Sequence, residues 1–127
     1  MDPNPFKHPA IILSRMRKAI EPSLFVAGFQ FDGRNKPSIP VYLYLDYSRP
    51  GELVRLAWDR RDSNRFIGVT AELLGPAESV TIIAASSLSG IARLPKGQVT
   101  AEVRMRLDAF AETVNAFLKR LASAQAP

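Results

Sequence analysis

The chain contains no cysteine in its 127 residues. That excludes a disulfide framework, a thiolate metal site and a cysteine nucleophile. Histidine is almost as scarce. His8 stands alone in the proline-rich opening "MDPNPFKHPA", too few imidazoles for a zinc site. Long apolar runs are missing as well. Nothing approaches the roughly 18 consecutive apolar residues of a membrane helix, and the short run Ala10–Leu13 is soon followed by basic residues, unlike a secretory leader. A cytoplasmic location is expected. No glycine pattern cradles phosphate: "GRNKPS" has a lysine and a serine without P-loop spacing. No cofactor and no metal are expected.

Charge is present but not concentrated. Seventeen Lys/Arg against twelve Asp/Glu give +5 and a pI near 10.0. The excess is +2 over residues 1–48, +1 over 49–75 and +2 over 76–127. With no basic tail or block, any basic patch has to be assembled by folding.

Length and composition suit one domain over residues 1–127. Residues 1–8 read as a loose arm and 122–127 as a frayed tail. Leu13, Met16, Ile20 and Leu24 recur at helical spacing, so a helix is expected over about 9–26, with Pro22 kinking it or starting a fresh turn and Gly28 stopping it. "FQF" (29–31), "IPVYLYLDY", "ELVRLAWDR" and "FIGVTAELL" alternate as strands. "DGRNKPS", "SRPG" and "DSNR" read as turns between them. "ESVTIIAAS" (78–86) fits either state, and its β-branched run favours a fifth strand. "SLSGIARLPKG" reads as a loop. A long helix then starts with Thr100 as N-cap and carries the stripe Val103, Leu107, Phe110, Val114, Phe117, Leu118, Leu121.

The hairpins can be tested for register. A two-residue loop at Pro50-Gly51 sets Tyr47 opposite Val54, Leu45 opposite Leu56 and Leu43 opposite Trp58. A loop at Ser63-Asn64 sets Trp58 opposite Val69, Leu56 opposite Ala71 and Val54 opposite Leu73. Both place the same residues on the apolar face, which is what pins a register. Pro-Gly suits a type II turn, whereas two-residue hairpins favour primed turns. The expected fold is α+β: an antiparallel four- to five-stranded meander with both helices on that face and Trp58 buried.

The other face then holds Tyr42, Tyr44, Arg55 and Thr70, with Asp46, Arg55 and Glu72 as a charge ladder across three strands. This is the candidate partner-binding surface. A second cluster is expected at one end of the sheet, where Arg34, Lys36, Arg60, Arg61 and Arg65 gather with Asp32, Asp59 and Asp62 as an anion or nucleic-acid site. Three function classes follow. The favoured one is a non-enzymatic protein-interaction module, in its simplest form a homodimer, acting through the outer face. The alternative is nucleic-acid binding by Tyr42 and Tyr44 with the basic end. The third is an enzyme using Asp32, Asp46, Asp59 or Glu72. Ser86, Ser87 and Ser89 have no base in reach, so no catalytic residue is assigned.

Overall fold

In a computed structural model the chain folds as α1 (Pro9–Val26), β1 (Gln30–Arg34), β2 (Tyr42–Arg49), β3 (Glu52–Asp59), β4 (Gly68–Leu74), β5 (Val80–Ser87) and α2 (Lys96–Ala124). The structure describes residues 9–38, 41–61, 67–75, 79–88 and 96–124. His8, Arg65 and the Ser63-Asn64 loop lie outside them. The strands form one antiparallel sheet in the order β1-β2-β3-β4-β5. This is the α+β meander expected, with 80–87 as its fifth strand. No helix among the described residues is long and apolar enough to cross a membrane.

Both hairpin registers are as the alternation requires. Leu45 pairs with Leu56, Leu43 with Trp58, Trp58 with Val69 and Leu56 with Ala71. Gly51 has φ +78, the value a type II turn places at its second central residue. The inner face meets α1 across β2 and β3 and α2 across β5, and the two helices pack on each other. Tyr47, Val54, Leu56 and Val69 are fully buried there, and Trp58 is 6% exposed. Val103, Leu107, Phe110, Val114 and Leu118 of α2 close the core.

Helix α1 ends by backbone chemistry. Gly28 takes φ +91, its N–H donates to the Phe25 carbonyl, and the Phe29 N–H donates to the Leu24 carbonyl. That is a Schellman stop, and the apolar pair that accompanies it, Leu24 and Phe29, is buried. Pro22 does not end the helix. It sits on the exposed face, as does Lys18 one turn earlier, where water can take the carbonyl that loses its partner.

Three boundaries differ from expectation. β1 runs on to Arg34 through a bulge between Phe31 and Gly33, with Gly33 at φ +149, so the first three residues of the expected turn are strand. Helix α2 begins at Lys96, four residues before Thr100, because a single Gly97 in the first turn is tolerated. At its other end α2 continues to Ala124, and Ala122 packs against the core instead of fraying.

Candidate functional site

Neither helix packs on the outer face of the sheet. Strand alternation puts Tyr42, Tyr44 and Asp46 of β2 there, with Arg55, Ala57 and Asp59 of β3 and Thr70, Glu72 and Leu74 of β4. Val80, Ile82 and Ala85 of β5 complete it.

The two tyrosines form the centre of one half. Their rings lie 5.3 Å apart at a 46° tilt. The Arg55 guanidinium carbon sits 3.8 Å from the Tyr44 centroid, and that of Arg61 sits 3.7 Å from the Tyr42 centroid. Each guanidinium is itself clamped. Arg55 donates from Nε to Asp46 Oδ1 at 2.8 Å and from Nη2 to Asp46 Oδ2 at 3.0 Å. Arg61 donates from Nε to Asp59 Oδ1 at 3.1 Å and from Nη2 to Asp59 Oδ2 at 2.9 Å, and its backbone N–H adds a 2.9 Å bond to Oδ1. Such two-pronged pairs fix both distance and plane. The result is one layer, Arg61–Tyr42–Tyr44–Arg55, with a carboxylate behind each end. Ala57, opposite Tyr44, is 0% exposed although it points outward, so the layer closes over it.

The electrostatics follow from those pairs. The hydrogen bonds from Arg55 to Asp46 hold its guanidinium more firmly protonated than usual, against the opposing effect of burial. Burial pushes the Asp59 carboxyl up, but the Arg61 hydrogen bonds and charge together outweigh it, and its pKa lies below the ordinary range.

The ladder expected across three strands forms on one side only. Arg55 stands opposite both Asp46 and Glu72 in register, and its fork goes to Asp46. Among the described residues Glu72 makes no ion pair. Thr70 lies half-buried between Ala57 and Ala85.

Beyond this layer the face is apolar. Leu53 pairs with Leu74 and Leu74 with Val80, while Ile82 stands opposite Glu72. Val80 is 53% exposed and Ile82 68%.

The basic cluster is divided by the sheet. Arg61 lies on the outer face over Tyr42. Arg34 pairs with Leu45, which puts it on the helix side, and with Lys36 it lines a groove against α1. Arg60 is exposed at the end of β3, where its N–H donates to the Val41 carbonyl. The division follows from the longer β1: once Arg34 is in a strand, the alternation decides its side. Two roles escaped sequence reasoning, which had Asn35 only as a polar helper and Arg61 only as a cation of the basic end. Asn35 inserts its side-chain amide into the β2 ladder, donating to the Tyr42 carbonyl at 2.7 Å and accepting from the Tyr44 N–H at 2.8 Å. Arg61 as a ring cap was signalled only by its spacing from Asp59. Among the described residues no group of three or more His, Cys, Asp or Glu could hold a metal ion. Comparison of the chain with protein-family models, with curated proteins and with solved structures finds no match.

Proposed function

We propose that the chain is a non-enzymatic protein-interaction module that works through the outer sheet face, with a second copy of itself as the partner. The observation that carries this reading is the combination, on one face that neither helix covers, of a clamped Tyr/Arg layer and an apolar margin of Leu53, Leu74, Val80 and Ile82. Tyrosine and arginine are the side chains that interfaces favour at their centres, and held rotamers reduce the entropy lost on contact.

Charge supports the same partner. The chain is +5, yet this face carries Arg55 and Arg61 against Asp46, Asp59 and Glu72. Two copies therefore meet there without the repulsion of the molecule as a whole. The area is adequate. Strands about 4.8 Å apart, four of seven or eight residues and β1 of five, at about 3.3 Å per residue give roughly 500–600 Å² per copy. Two such faces reach about 1,000–1,200 Å², the lower end of specific interfaces. For catalysis the carboxylates are poorly placed, since Asp46 and Asp59 are both engaged by guanidinium groups.

Sedimentation equilibrium of the wild type, Ile82→Arg and Tyr44→Ala tests the reading. Ile82 is solvent-exposed, so its replacement leaves the fold intact, as circular dichroism will verify. The expected result is a dimer that Ile82→Arg disperses and Tyr44→Ala weakens by about tenfold or more. A monomer at every concentration up to about 1 mM, a Kd near which a contact is only marginally favourable, would overturn it. So would a dimer indifferent to both substitutions.

A further inference from the structure

We propose that a groove between α1 and the end of β1 binds a small amphiphilic anion, an aliphatic or aromatic carboxylate. This site lies on the helix side of the sheet and is independent of the outer face. Its volume is about 360 Å³, at the small end of ligand pockets and suited to one ring or a short acyl chain. Leu13 of α1 and Leu43 and Leu45 of β2 give it an apolar lining. Arg17, Arg34 and Lys36 supply three cations, and among the described residues no carboxylate lines it.

The cations are held in different ways, and each keeps capacity for a ligand. Arg17 donates from Nε to Glu21 at 2.7 Å and lies 4.3 Å from the centroid of Phe31, which fixes its plane. Its terminal nitrogens make no hydrogen bond among the described residues. Arg34 and Lys36 form no ion pair among the described residues. They flank Asn35, whose two side-chain bonds to β2 pin the backbone between them. The segment is thus preorganised at both of its charged positions, although β1 ends at Arg34.

Ligand class follows from the lining. Burying the apolar part of a ligand against the leucines rewards a hydrocarbon body. Arg34 and Lys36, together with the terminal nitrogens of Arg17, reward one anionic head, and arginine prefers a planar carboxylate that can accept two hydrogen bonds. A polyanion such as nucleic acid has no body to fill so small an apolar recess.

Isothermal titration with decanoate, and with decanol as its neutral match, tests the proposal on the wild type and on an Arg34→Ala/Lys36→Ala double variant. Both replaced side chains are exposed, so folding is preserved and circular dichroism checks it. The expected result is saturable 1:1 binding of decanoate, about tenfold weaker in the double variant and about tenfold weaker for decanol. Amide shifts in NMR spectra should then centre on Leu13 and Leu45. No saturable binding, equal affinity for decanol, an unaffected double variant, or shifts centred on Tyr44 and Arg55 would each overturn it.

Discussion

The Tyr47 hydroxyl donates a 2.6 Å hydrogen bond to Glu21 Oε2, tying the buried face of β2 to the C-terminal half of α1. Arg17 Nε donates to the same oxygen at 2.7 Å. Phe31 packs edge-on against Tyr47, with ring centroids 5.4 Å apart, and Arg17 covers the Phe31 ring. One carboxylate thus organises the seam between the first helix and the first two strands. The hydrogen bond from Tyr47 holds the Glu21 carboxyl below its ordinary range, with Arg17 assisting and burial opposing. Burial, then the bond to Glu21, pushes the Tyr47 hydroxyl well above its usual value.

This seam predicts how stability changes with pH. A depressed glutamate contributes stability above its unfolded pKa of about 4.3, lost as pH falls through the lower folded value. A raised tyrosine contributes stability below its unfolded value of about 10, lost as pH rises through the higher folded one. Tyr47→Phe is expected to cost about 1–2 kcal/mol at neutral pH, because it removes a hydrogen bond to a charged acceptor. Urea denaturation from pH 2 to 11 should show the gap between wild type and variant narrowing at both acid and alkaline ends. A gap of constant size would mean that the hydroxyl acts only by filling space.

The half-formed ladder gives a second, sharper comparison. Asp46 and Glu72 both stand opposite Arg55 in register, so the sequence makes them look equivalent. Only Asp46 takes the two-pronged bond, with side-chain exposures of 26% for Arg55 and 15% for Asp46. Asp46→Ala should cost about 1–2 kcal/mol, since it leaves a half-buried guanidinium without its acceptor. Glu72→Ala should stay within about 0.5 kcal/mol, as surface substitutions usually do. Paired urea titrations decide the matter, and equal losses would show that Arg55 is shared between the two carboxylates.

What could be read beforehand, and what could not, has a physical basis in particular residues. The β2-β3 and β3-β4 registers were legible because a slip of one residue would expose Leu45, Leu56 and Val69 together. Tyr42, Tyr44, Arg55 and Thr70 followed onto the opposite face from alternation alone. β1 was not legible past Phe31. Gly33 and Asn35 carry turn chemistry in sequence, yet Gly33 serves a bulge and the Asn35 side chain stands in for a peptide group. Missing that extension merged Arg34 and Lys36 with Arg61, although the sheet separates them. Stacking of Arg61 on Tyr42 was equally hidden, because residue spacing does not show where a side chain turns after a strand ends.

The same layer yields a prediction about nucleic acid. Base stacking needs an open ring face beside unpaired positive charge. Here Tyr42 and Tyr44 each carry a guanidinium over one ring face, and Asp59 and Asp46 neutralise those guanidiniums. The rings' remaining exposure lies beside Glu72, Thr70 and small residues, none of them a cation. A chain of net charge +5 will still attract DNA or RNA at low salt through its scattered basic residues. That attraction should fall steeply between about 50 and 200 mM salt, as counterion release requires. It should also be unchanged by Tyr44→Ala, because each ring already carries a guanidinium on one face. Fluorescence polarisation with short single- and double-stranded DNA and RNA, at both salt levels, measures this directly. Binding that persists at the higher salt and drops by about 1–3 kcal/mol on Tyr44→Ala would mean that the rings open to bases, and the outer face would then be a nucleic-acid platform.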